Sequence, residues 1–127
     1  MKKYDPNIEP VGAEWLDISE DARIEMVTQY HRRHRVSLPN PRLHAVIHVI
    51  VENQLALGES PVVEALNRLQ AEGLGRHDAI HAIGMVLSEH LFNALNDGNP
   101  SVPDLHRPYF ERLKQLSADE WRRSGER

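Results

Sequence analysis

Asn40-Pro41-Arg42-Leu43-His44-Ala45-Val46-Ile47-His48-Val49-Ile50-Val51-Glu52-Asn53-Gln54-Leu55-Ala56-Leu57-Gly58 is the stretch whose reading decides the fold. It opens with an asparagine suited to a helix N-cap and a proline suited to the first helical position, and it closes on glycine. Between them Leu43, Ile47, Ile50, Val51 and Leu55 recur at helical spacing. Val46 and Val49 add apolar surface off that stripe. A helix apolar on nearly every side reads as a central element or as a surface for a second subunit.

The same grammar continues downstream. Ser60 caps and Pro61 opens the next helix, Val62, Val63, Leu66 and Leu69 face inward, and Gly73 closes it with Leu74 as the following hydrophobic contact. A longer helix starts at Gly75 or Arg76 and runs through Leu95 to Asp97-Gly98. Upstream, a helix is expected from near Asp17, with Glu20 in capping-box spacing and Met26, Val27 and Tyr30 on its buried side. It runs out through His31-Arg32-Arg33-His34-Arg35, before Pro39. Residues 1–16, with two prolines and a glycine, read as an extended arm from which Trp15 and Leu16 dock on the core. Residues 99–108 are proline-rich and read as irregular. Two short helices follow, over 108–116 and from Ser117, where Glu120 completes a capping box. No strand pattern competes. The expected fold is all-α: a small bundle of about four main helices plus short C-terminal helices. It forms one domain, with core 17–97 and C-terminal segment 99–127.

A chain of 127 residues suits a single hydrophobic core. Its 15 Lys+Arg against 19 Asp+Glu leave a net charge of −4, which argues against nucleic acid as a partner. There is no cysteine, which excludes disulfides, thiolate metal sites and cysteine nucleophiles. The start, Met1-Lys2-Lys3-Tyr4-Asp5-Pro6, lacks the apolar stretch of a signal peptide. The run from Ala45 to Val51 is interrupted by His48 and is far too short to span a bilayer. The expected address is the cytoplasm.

Eight histidines are the compositional oddity, and six of them fall in close pairs. Two pairs sit in H-x3-H spacing on expected helices: His44 with His48, followed by Glu52, and His77 with His81. A residue turns the helix by about 100°, so side chains four apart stand one turn apart on one face. Two imidazoles so placed can point at one cation. Short connections favour antiparallel neighbours, which makes the first and third helices after Pro39 run parallel. Both pairs lie in the first two turns of their helices, so they are expected at the same bundle end, sharing one metal. A metal takes neutral imidazole, which a helix N-terminus favours over the protonated ring. Glu52, one turn beyond His48, suits a fifth ligand or a carboxylate that orients a histidine. Glu89, two turns beyond His81, is placed for the same part. Four nitrogens and an oxygen suit zinc or iron, and also nickel or copper, better than calcium or magnesium.

Two functional readings stay open. One is a transition-metal site, with metal-assisted hydrolysis using Glu52 or Glu89 as base the least strained chemistry if the protein is an enzyme. The other is a non-enzymatic interaction module in which a His–Glu hydrogen-bond network fixes helix register. His31 to Arg35, with Arg42 and Arg76, forms a basic rim that either solvates a helix end or attracts a small anion. His90 falls on the far side of its helix and reads as a surface residue. His106 has no evident partner, and Trp121 reads as a docking aromatic beside solvated Arg122 and Arg123.

The run from Asn40 to His48, then Glu52-Asn53-Gln54, Arg68-Leu69, and His77-Asp78-Ala79-Ile80-His81, resembles a bacterial helical family of unknown function. Its signature is N-P-x-L-H-x3-H-x3-E-x-Q, then H-x-A-x-H and a later glutamate matched by Glu89. The likeness covers roughly residues 40–95. It implies a helical fold and marks His44, His48, Glu52, His77, His81 and Glu89. A looser similarity is to hemerythrin-like bundles, which build iron sites from histidine and carboxylate helices. The order of ligands here departs from theirs.

Overall fold

The computed structural model of the protein describes residues 3–34, 40–96 and 102–124, with the backbone alone for 94–96 and 102–106. All regular structure among them is helical. The elements are α1 (Gly12–Asp17), α2 (Glu20–Arg33), α3 (Pro41–Ala56), α4 (Ser60–Ala71), α5 (Arg76–Asn96), α6 (Val102–Leu113) and α7 (Ala118–Ser124). They group into two compact units, Met1–Glu59 and Ser60–Arg127.

The first unit is built on α3, against which α1 and α2 both pack. Asn40 caps α3 as its sequence requires, its Oδ1 accepting from Leu43 N at 3.1 Å, and Pro41 occupies the first turn. Gly58 ends the helix at φ 71°, where Glu59 N reaches back to Gln54 O. Only glycine takes that left-handed conformation without strain. The core of this unit is Tyr4, Trp15, Ile24, Val27, Tyr30, Ala45 and Val49, with Leu16, Met26, Val46 and Ala56 packed on it.

Two expectations for the N-terminal part are corrected. The arm is not extended throughout, because residues 12–17 form α1, a helix without a side-chain cap. So short a helix is not stable alone, and tertiary contacts hold it. Trp15 is fully buried and donates from Nε1 to Asn53 Oδ1 of α3. Arg23 of α2 donates to the Leu16 and Ile18 carbonyls at the end of α1 and to the same Asn53 oxygen. Gly12, at the start of α1, lies beside Ala56 of α3, where a Cβ would make ordinary van der Waals contact with the Ala56 carbonyl oxygen at 3.4 Å. The second correction is the start of α2. Its cap is Ser19, whose hydroxyl accepts from Ala22 N, and not Asp17, which belongs to α1.

In the second unit α5 packs against α4, α6 and α7, and α4 also meets α6. Val62, Ala65, Leu66 and Leu69 of α4 are buried, as are Ile80, Ile83 and Val86 of α5, Tyr109 and Leu113 of α6, and Trp121 of α7. Gly73, at φ 101°, closes α4, and Leu74 N reaches back to Leu69 O with the Leu74 side chain buried. Arg68 ties α4 to the end of α6, donating to the Leu113 and Leu116 carbonyls. Ser117 caps α7 by accepting from Glu120 N. The segment read as irregular over 99–108 is instead helical from Val102. Pro103 lies in its first turn, where no N–H is needed, whereas Pro108 sits inside the helix at the cost of one backbone hydrogen bond. No helix among the described residues is long and apolar enough to cross a membrane.

Candidate metal centre

Helix α3 projects His44, His48 and Glu52 one turn apart along one side, as the spacing requires. His48 and Glu52 are buried, at 2% and 1% exposure, and His44 is half-buried. The last turn of α2 brings His31, itself buried, against both histidines. Its ring centroid lies 4.7 Å from that of His44 and 4.9 Å from that of His48, and the His44 and His48 rings are 5.0 Å apart. One ring nitrogen from each of His31, His44 and His48 lies within 4.8 Å of the others. Three imidazole nitrogens that close can turn toward a common cation about 2.0–2.1 Å from each with small side-chain adjustments.

The protonation of two of these rings follows from their neighbours. His31 Nδ1 lies 2.9 Å from Val27 O. A carbonyl oxygen only accepts, so Nδ1 carries the proton and Nε2 carries the lone pair. His34 and His90 make the same contact, with Tyr30 O and Val86 O, so this bond alone does not mark a ligand. His31 differs in its burial and in the two rings facing it. Burial also pushes its pKa below the ordinary histidine value, outweighing the Val27 carbonyl, which raises it, while His34 lowers it further. The neutral form a metal needs is therefore favoured.

At His48 the partner is Tyr4, from the segment ahead of α1. The Tyr4 hydroxyl donates to Glu52 Oε2 at 2.5 Å and lies 3.1 Å from His48 Nδ1. With its one proton directed to the carboxylate, the phenol oxygen accepts from His48 Nδ1–H, and the lone pair of His48 again falls on Nε2. Tyr4 is 1% exposed and held by Trp15 and Tyr30, with ring centroids at 5.6 and 6.2 Å. Beside Glu52 a cleft of about 170 Å³ is lined by Glu9, Pro10, Gly12, Leu55 and Ala56.

The second pair belongs to the other unit. His77 and His81 stand together on α5 with ring centroids 4.3 Å apart, both half-buried, and Trp121 of α7 lies 6.3 Å from His81. Glu89 is exposed on the same helix. His90, read from the sequence as a surface residue, is half-buried instead, with its ring 6.3 Å from Tyr109 because α6 packs along α5. In the basic rim Arg32, Arg33 and Arg42 are exposed, whereas Arg76 is buried; Arg35 lies outside the described residues.

The sequence reading assigned His31 to the basic rim and not to the ligands, and it missed Tyr4 entirely. His31 had a usable signal, since a histidine four residues after Val27 in the last turn of α2 faces the same side as that core valine. Tyr4 had none, because a single aromatic in a proline-containing segment fixes no partner. No family model, curated protein or solved structure matches the chain.

Proposed function

We propose that the protein binds a transition-metal ion through its histidine-bearing helices, with His31, His44 and His48 supplying three nitrogens in the first unit. The observation that carries this is the mutual approach of those three imidazoles, two of them with Nε2 left as the lone-pair nitrogen by a bond at Nδ1. Neutral nitrogen donors suit zinc first, and iron, nickel or copper next. His77 and His81 supply a second pair, with the same one-turn spacing on α5. Glu52 acts either as a ligand or behind His48, and Glu89 is the weaker carboxylate candidate because it is exposed.

One observation favours a second reading. Tyr4, His48 and Glu52 already form a buried hydrogen-bonded set that could fix the register of the arm on α3 with no metal at all. Metal analysis of protein purified without an affinity tag separates the two. Near-stoichiometric metal in the wild type, and loss of it in His31→Ala and His48→Ala, is the expected result. With His77 and His81 both replaced, the metal retained per chain falls if that pair also ligates. No metal on purification and none taken up on titration with zinc, iron, nickel or copper leaves the histidines as packing.

A further inference from the structure

We propose that Tyr4 and Glu52 form the outer hydrogen-bond shell of the metal site, with Tyr4 the positioning residue that sets how His48 presents Nε2. This rests on the metal-binding reading above and adds to it a specific division of labour. His48 would be an inner ligand, Tyr4 would hold it, and Glu52 would hold Tyr4.

The geometry leaves little choice of roles. A phenol has one proton to give, and of the contacts with His48 and Glu52 the shorter, 2.5 Å, is to the carboxylate, the stronger acceptor. The 3.1 Å contact must then run from His48 Nδ1–H to the phenol oxygen. A ligating imidazole generally donates its second N–H to a carboxylate, carbonyl or water, which fixes tautomer and ring orientation and raises ligand basicity. Here a phenol stands between imidazole and carboxylate and transmits the negative charge of Glu52 by polarisation along the chain. His31 reaches the same state by a shorter route through Val27 O. Rigidity comes from packing: Tyr4, His48 and Glu52 are each no more than 2% exposed, and the Tyr4 ring meets His48 and Tyr30 edge-on.

Tyr4→Phe keeps the ring against Trp15 and Tyr30 and deletes only the hydroxyl. Zinc affinity, measured against a competing chelator, is expected to fall about 10- to 100-fold, the usual cost of losing such a partner. Helical content and the melting point of the metal-free protein serve as the folding control. Glu52→Gln should weaken zinc binding in the same range, and the double variant should lose little more than either alone, because both act through His48. In metal-free wild type, nitrogen NMR should show His48 protonated at Nδ1, and this fixed tautomer should be lost in Tyr4→Phe. Unchanged or tighter zinc binding in Tyr4→Phe, with a large loss in Glu52→Gln, makes Glu52 a direct ligand and overturns the proposal. So does a His48 protonated at Nε2 in the wild type, a measurement that stands even if a variant fails to fold. Absence of zinc binding by the wild type instead defeats the metal-binding reading itself.

Discussion

Burial at single residues decides two kinds of chemistry in this protein. At His31 it favours the neutral ring, and at Tyr30 and Tyr109 it favours the protonated phenol. Tyr109 is 1% exposed, and burial raises its pKa well above the ordinary tyrosine value. Tyr30 is raised too, by burial first and then by Asp5, against the opposing charge of Arg33. Above about pH 10 an unfolded tyrosine gives up its proton while the buried one keeps it. The native state then binds more protons than the unfolded state, so stability falls as pH rises through that range. The stability from Tyr109 is complete below about pH 10 and declines above it, by at most about 1.4 kcal/mol per pH unit. Denaturant titrations from pH 8 to 11 should show a shallower alkaline decline in Tyr109→Phe than in the wild type. Parallel declines in the two proteins would mean that the buried phenol does not govern alkaline stability.

Among the elements, Arg68 of α4 is hydrogen-bonded to the C-terminal end of α6 and the turn beyond it. Arg68 donates from Nε and Nη2 to the carbonyl of Leu113, which ends α6 and lacks an intrahelical partner, and to that of Leu116 in the turn beyond it. A guanidinium presents several donors in a fixed plane, and its charge opposes the negative end of the α6 dipole. Arg68→Ala is expected to cost about 2 kcal/mol, in the range for hydrogen bonds to a charged group. Arg68→Lys should recover less than half of that, since one ammonium on a shorter stem cannot reproduce the fork. Both are read from the shift in urea midpoint at constant slope; a lysine variant as stable as the wild type would show that charge alone matters. The same elements explain how much could be read in advance. The boundaries of α3 and the C-terminal end of α4 were legible because Asn40, Pro41, Gly58 and Gly73 act locally, on backbone within a few residues. Helix α1 was not, because Trp15 and Arg23 stabilise it through Asn53, which lies 38 and 30 positions away from them in sequence. The H-x3-H pairs were legible as pairs because helical geometry fixes them. Tyr4 beside His48 was not, because no periodicity links a residue before α1 to a turn of α3 separated by 44 positions.

For the whole molecule, the decisive quantity is how far a metal changes its stability. An ion that binds the folded chain and not the unfolded one adds RT ln(1 + [L]/Kd), which at a hundredfold excess over Kd is about 2.7 kcal/mol. That is a large share of the roughly 5–15 kcal/mol that holds a domain folded. For a chain of 127 residues it corresponds to a rise in melting point of about 10 °C. Thermal melts of the wild type with zinc and with excess chelator are expected to differ by an increment of this order. His44→Ala should lower the increment sharply while changing the metal-free melt little, because His44 is only half-buried. His48→Ala should lose the increment and also melt earlier without metal, because its buried ring meets Tyr4 as well. The contrast between these variants matters more than either alone: a purely structural network predicts damage at His48, little at His44, and no response to chelator anywhere. A wild-type midpoint that stays fixed after metal removal is confirmed by analysis would leave Tyr4, His48 and Glu52 as the register-fixing contact between the arm and α3.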